Sequence, residues 1–265
     1  MVKLAISQIA WDLKNDDEIL PFLETNNYQG IELIPTKIQL ENPYDHVEQF
    51  KKYFEKLSKY HLVVPSMQSL IYGRTENIFD PKDGPILVNY LKKAISFAGQ
   101  LGIKNLVFGS PKNRLLPDNY SEDKIINIFK ELGDYALENQ TIFAVEANPS
   151  IYGGNFILTT KEAIDLIKKV NSQGLKLNLD LGTVIENNED LSDILSNDLN
   201  LINHIHLSEP SLKKVLIHEN LYSVLSQHLK DYSGFLSIEM KNLNDLNATK
   251  EIILEIKEYF SNVID

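Results

Sequence analysis

Four residues carry the chemistry that stands out in this chain: Glu146 in FAVEANP, Asp180 in LNLDLGT, His206 in HIHLSEP and Glu239 in LSIEMK. Each interrupts a short apolar run near its C-terminal end. A charged group in a strand covered on both sides is costly unless it faces a polar cavity or ligates a metal. Two glutamates, an aspartate and a histidine form an oxygen-rich set with one borderline nitrogen. That set suits Mn²⁺, Mg²⁺ or Co²⁺ and is acceptable to Zn²⁺. Bare carboxylates brought together repel one another, so one divalent cation is the natural compensating charge. Any one of the four, taken alone, reads as a salt-bridged core residue; four at corresponding places in consecutive runs read as a site.

The elements that must position them follow from the patterning. Strand-like runs cover residues 2–9, 28–34, 62–68, 103–109, 141–148, 175–181, 202–208 and 235–240. Stretches of helical period lie between them at 16–24, 45–59, 84–100, 121–139, 160–170, 191–197, 219–230 and 248–260. In the second, Val47, Phe50, Phe54 and Leu57 recur at spacings of three and four, and the fourth opens on the capping pattern Ser121-Glu122-Asp123-Lys124. Parallel strands need crossover connections, and a helix after each strand supplies them. The pattern predicts one α/β domain over residues 1–265, a (β/α)₈ TIM barrel. A doubly wound open sheet is the competitor, but Ser7-Gln8-Ile9-Ala10-Trp11 after the first run lacks the glycine-rich phosphate turn of that fold. In a parallel barrel the C-terminal ends of all strands share the face that carries active sites. The four residues would therefore become neighbours.

With these residues and runs the sequence resembles the xylose isomerase-like TIM barrels, in particular their sugar phosphate isomerase/epimerase branch, which includes the ketose 3-epimerases. That family places metal ligands after strands five to eight in the order Glu, Asp, His, Glu. The intervals here are 34, 26 and 33 residues, each about one strand–helix unit. The resemblance implies that Glu146, Asp180, His206 and Glu239 bind the cation. It also implies that Glu146 and Glu239 are catalytic, moving a proton at a carbon next to a carbonyl while the cation stabilises the enediolate. The ketose 3-epimerases carry a further Glu, His and Arg where this chain has Tyr152, Thr183 and Leu212, so ketohexose specificity does not carry over. Either a new specificity or a lost activity would fit those three changes. Endonuclease IV shares the barrel but needs a three-metal cluster with several histidines, and only His204 and His206 of the six histidines here lie at a strand end.

Further candidates surround the four. Of 26 basic residues only Arg74 and Arg114 are arginines, and they follow predicted strands three and four. A guanidinium binds a carboxylate or phosphate in a planar fork, so with Lys112 they predict an anionic substrate; pairing with acidic residues on nearby loops is the alternative. Ser110 and Gly109 could add donors there. Glu32, Gln68, Asn148, His204, Glu209 and Lys241 share the inward parity or the loop mouth and are expected to contact or support the substrate. His204 points the same way as His206 but deeper, where a hydrogen-bonded imidazole beneath the metal is favoured over a ligand. Trp11, Tyr72, Phe108 and Tyr152 are candidates for an apolar wall against a sugar ring.

The chain has 265 residues, 43% of them hydrophobic, and a net charge of −11. It is long enough for one large core, and its acidity disfavours nucleic acid as a partner. Without cysteine there is no disulfide, thiolate nucleophile or iron–sulfur cluster. No secretory signal or membrane-length apolar run is visible, which predicts a cytoplasmic protein without a membrane partner. The partner expected is a small sugar; the oligomeric state stays open, a homodimer included. The function expected is a metal-dependent isomerase or epimerase of a small anionic sugar or sugar derivative. The alternatives are a metal-dependent dehydratase or lyase on a related polyol or keto-sugar, and a non-catalytic sugar-binding barrel.

Overall fold

A computed structural model describes residues 2–264. Eight parallel strands are present: β1 Lys3–Ser7, β2 Gly30–Glu32, β3 Ser66–Met67, β4 Asn105–Phe108, β5 Ile142–Glu146, β6 Leu175–Asp180, β7 Ile202–Ser208 and β8 Phe235–Glu239. They run in the order β2-β1-β8-β7-β6-β5-β4-β3. The two ends of that order meet through single bridges, Gly30 with Val63 and Leu33 with Met67, so the sheet curls into a nearly closed TIM barrel. Every expected strand lies where the alternating pattern puts it, though β2 and β3 are shortened to three and two residues.

Ten α-helices accompany them: α1 Asp16–Thr25, α2 Pro35–Ile38, α3 Val47–Ser58, α4 Asp83–Leu101, α5 Glu122–Glu138, α6 Thr160–Val170, α7 Leu181–Asn187, α8 Leu191–Asp198, α9 Glu219–His228 and α10 Leu246–Tyr259. Eight match the expected helices. The short α2 and α7 are additions. On α3, Phe50 and Leu57 are fully buried, and Val47 and Phe54 pack against them from the margin of the core. Ser121 stands extended at the start of α5, but its hydroxyl does not cap a backbone N–H; Thr159, Asp190 and Asp245 do so for α6, α8 and α10.

Alternation along the strands sorts the core into two layers. Leu4, Ile6, Ile31, Leu106, Leu177, Leu179, Ile205, Leu207, Leu236 and Ile238 are apolar and buried. The residues of opposite parity include Ser7, Glu32, Ser66, Asn105, Asn178, His204, His206 and Ser237, all at most 2% exposed. These meet across the barrel; Glu32 of β2 reaches Ser66 of β3, His206 of β7 and Ser237 of β8. The interior is thus a polar core held largely by mutual hydrogen bonds, with His204 Nε2 and Asn178 Oδ1 left without partners.

Candidate metal centre and its cavity

Strands β5 to β8 bring Glu146, Asp180, His206 and Glu239 together at their C-terminal ends. One ligand atom from each lies within 4.8 Å of every other. His206 Nδ1 is 3.0 Å from Glu146 Oε1 and 3.1 Å from Glu239 Oε2. Donors bound to one cation stand about 3 Å apart, so this spacing fits an ion without rearrangement of the backbone. A second cluster, Glu32, His204 and His206, shares His206 and lies deeper.

Asp180 and Glu146 are oriented by neutral groups, whereas Glu239 is held by His206. Asp180 ends β6 and caps α7: Thr183 N and Thr183 Oγ1 both donate to Asp180 Oδ2 at 2.8 Å, and Ser208 donates to Oδ1. Glu146 accepts from Asn178 Nδ2 at 2.8 Å and from Asn148 Nδ2 at 3.2 Å. Gly109 leaves room for it, since a Cβ there would stand 2.7 Å from Glu146 Oε2. Among the described residues no lysine or arginine forms an ion pair with the three acids. His206 is the basic group in contact with them, and the Arg114 guanidinium lies behind Glu146, bonded to its carbonyl oxygen and to Asn148.

The electrostatics record that deficit. Burial, reinforced by Glu146, pushes Asp180 up to about 6. Burial, with Glu146 and Asp180 nearby, pushes Glu239 up to about 7 despite His206. Burial opposes a charged His206 ring, yet Glu32, Glu239 and the hydrogen bonds to Glu146 and Glu239 hold it well above its usual value. Three carboxylates against one imidazole are short of positive charge, and a divalent cation is the group this donor set fits.

A cavity of about 550 Å³ opens above the four. Glu146, Asp180 and Glu239 form its floor; Ser110, Lys112, Asn113, Asn148, Tyr152, Glu209 and Leu212 are on its walls. Tyr152 accepts a 2.7 Å hydrogen bond from Ser211 N, tying the loop after β5 to the loop after β7. Glu209 accepts from His218 Nε2.

Several expected contacts fall elsewhere. Arg114 is fully buried and does not face the cavity: it donates to Glu146 O at 2.9 Å, Asn148 Oδ1 at 3.0 Å, Phe108 O and Ile157 O. Its guanidinium ties the loops after β4 and β5 together instead of meeting an anion. Arg74 pairs with Glu76 and lies 4.3 Å from the centre of the Tyr90 ring, outside the cavity lining. Both arginines are spent on the fold. Lys112 alone of the three cations lines the cavity. Lys241 is exposed and does not line it. Glu32 and Gln68 are sealed in the interior, where Gln68 Nε2 donates to Glu32 Oε2 at 3.0 Å. His204 lies beneath His206 as expected, but its Nε2 stands 3.5 Å from Glu32 and has no hydrogen bond. Of the four aromatics only Tyr152 reaches the cavity. Trp11 donates to Asp16, Phe108 stacks on Phe143, and Tyr72 is 68% exposed. Asn178 and Ser208 were not anticipated, although each lies two residues from a candidate ligand and shares its parity.

The profile of a family described as xylose isomerase-like TIM barrel matches residues 20–259 of this chain. No curated protein matches the sequence significantly. Among solved structures, a D-psicose 3-epimerase with D-tagatose from Clostridium cellulolyticum H10 superposes with a TM-score of 0.77 at 12% identity, over 99% of this chain and 99% of that one. A 3-keto-D-glucoside 4-epimerase from E. coli gives 0.73 at 15% identity, over 97% and 99%. A probable 3-DHS dehydratase from Bacillus anthracis gives 0.71 at 16% identity, over 98% and 99%. At these identities the likeness is one of fold.

Proposed function

The chain belongs to the xylose isomerase-like TIM-barrel family, and from that premise we propose that it is a divalent-metal-dependent isomerase or epimerase of a small neutral sugar. The observation that carries the proposal is the convergence of Glu146, Asp180, His206 and Glu239, with the three carboxylates on the floor of an open cavity and, among the described residues, no lysine or arginine in an ion pair with them. The names of two similar folds, a 3-keto-D-glucoside 4-epimerase and a D-psicose 3-epimerase, support the reaction class.

These four residues would hold the cation, with Mn²⁺, Mg²⁺ or Co²⁺ preferred over Zn²⁺ by the three carboxylates. The ion would supply Lewis-acid stabilisation of the oxygen charge that grows as a proton leaves the neighbouring carbon. Glu146 and Glu239 are the groups that would take that proton and return it. Asn178 and Asn148 keep Glu146 turned to the cavity, while Thr183 and Ser208 fix Asp180, leaving it a structural role. Asn113, Ser110, Tyr152 and Glu209 offer the neutral and accepting groups that sugar hydroxyls require.

The cavity chemistry points away from an anionic substrate. Its lining holds four carboxylates, Glu146, Asp180, Glu209 and Glu239, against one cation, Lys112. Even a bound divalent ion leaves a negative balance, which repels phosphate or carboxylate. A dehydratase is the second reading, supported by the fold likeness to a probable 3-DHS dehydratase and by Tyr152 and Leu212 in place of an acid and a base.

The test is purification, metal analysis and proton exchange in D₂O against neutral ketoses, aldoses, sugar acids and sugar phosphates. Stoichiometric metal and deuterium entering next to the carbonyl of a neutral sugar, lost in Glu146→Gln and Glu239→Gln, is the expected result. Elimination of water without reversible exchange supports the dehydratase. Absence of metal from the wild type at saturating Mn²⁺ sinks both.

A further inference from the structure

Glu32 has no obvious reason to be where it is. It is 0% exposed, 34 residues in sequence from Ser66 and 174 from His206, and no lysine or arginine of the described residues pairs with it. Its surroundings are nevertheless complete. Ser66 Oγ donates to Oε1 at 2.7 Å, Gln68 Nε2 to Oε2 at 3.0 Å, and Ser237 Oγ lies 3.4 Å from Oε2. His206 Nε2 is 3.1 Å from Oε1 and 3.0 Å from Oε2.

The chain of donors extends to the other end of the barrel. Asn203 Nδ2 donates to Asn105 Oδ1 at 2.7 Å, and Asn105 Nδ2 donates to Ser66 Oγ at 2.9 Å. With its oxygen already accepting from Asn105, Ser66 directs its single proton to Glu32. Asn105 and Asn203 line a second cavity of about 510 Å³ at the N-terminal ends of the strands. Every link in this chain points its hydrogen toward Glu32, and the one other nitrogen near it, His204 Nε2, stands 3.5 Å from Oε1 without a hydrogen bond, so Glu32 accepts from each of its hydrogen-bonded partners. The proton between Glu32 and His206 therefore belongs on Nε2 of the imidazole. A neutral imidazole protonated on Nε2 presents its lone pair on Nδ1, and Nδ1 is the atom that stands 3.0 Å from Glu146 and 3.1 Å from Glu239.

We infer that Glu32 is a positioning residue that locks His206 in the Nε2–H tautomer and so aims Nδ1 at the cation. The inference rests on the metal reading of the four-residue cage. It also decides between the two clusters that share His206: while Nε2 donates to Glu32, that nitrogen cannot bind a second ion with Glu32 and His204. A carboxylate behind a ligating histidine fixes the ring and raises its basicity, and loss of such a partner weakens metal binding by about 10–100-fold.

Two measurements test this. Mn²⁺ titration followed by electron paramagnetic resonance compares the wild type with Glu32→Gln, which keeps the shape and removes the charge. An affinity weaker by about 10–100-fold in the variant, with one ion per chain in the wild type, is expected. The wild type loaded with diamagnetic Zn²⁺ and labelled with ¹⁵N-histidine reports the tautomer directly, without any variant having to fold. A protonated Nε2 on His206 is expected. Equal Mn²⁺ affinity in a folded Glu32→Gln overturns the role of Glu32 and leaves the cage standing, as does a bare Nε2 or a second ion per chain. A wild type that binds no Mn²⁺ overturns the cage itself.

Discussion

The two sides of the barrel mouth use charge in opposite ways. Along β5 to β8, Glu146, Asp180 and Glu239 converge with no lysine or arginine among the described residues to pair with them, and burial pushes two of the three carboxyls up toward neutrality. Along β3 and β4 the arginines are held by the fold, although Arg114 Nε is left without a hydrogen-bond partner. Arg74 is held by Glu76 and the Tyr90 ring, and Arg114 by three backbone carbonyls and Asn148. The difference shows what marks a functional charge: its residue type matters less than whether the fold has already satisfied it. A buried cation bonded to backbone carbonyls supports the structure, whereas buried carboxylates short of positive partners mark a place where a cation can bind.

If that contrast is right, the largest effect on stability comes from the satisfied side. Arg114→Met should lower unfolding free energy by about 3–5 kcal/mol, because it strands the carbonyls of Phe108, Glu146 and Ile157 in the interior. Denaturant titration measures it, and a loss below about 1 kcal/mol would place Arg114 with the substrate contacts after all. On the unsatisfied side, the effect should depend on the ion and on pH. Asp180 and Glu239 have folded values of about 6 and about 7, above those of an unfolded chain, and His206 is also raised. The metal-free fold therefore binds more protons than the unfolded chain across this range. The stability these groups lend is present at acid pH and is lost as pH rises through about 6 and 7. A cation must displace those protons, so the rise in Tm on adding Mn²⁺ should grow between roughly pH 5.5 and 8. An increment that is flat or shrinks over that range breaks the comparison. The smallest effect belongs to Arg74→Ala, about 1 kcal/mol or less in stability with unchanged metal affinity, because its pair with Glu76 is partly open to water.

Much of the cage was legible in the sequence because a carboxylate or imidazole inside an apolar strand conflicts with its surroundings, and the strand period says which way it points. The same rule would have found Asn178 and Ser208, two residues from Asp180 and His206 respectively. The arginines were misread because a guanidinium in a loop after a strand gives no local sign of its partner. Glu76 is two residues from Arg74, but the carbonyls around Arg114 come from β4, β5 and the loop at Ile157. Helix α7 was hidden because Gly182 and Thr183 are weak helix formers; its start is set by Asp180, which accepts from Thr183 N. The Ser66 and Asn105 chain behind Glu32 was hidden too, since it exists only once β2, β3 and β4 are side by side.

The bridges between β2 and β3 acquire a meaning from Glu32. That joint holds two isolated pairings, whereas β1–β2 and β3–β4 on either side hold ladders of three and two consecutive pairs, and the Glu32 carboxylate reaches across it to Ser66 and Gln68. The Glu32 side chain thus adds to the backbone hydrogen bonds that cross this joint and, through His206, reaches the opposite wall where an ion would dock.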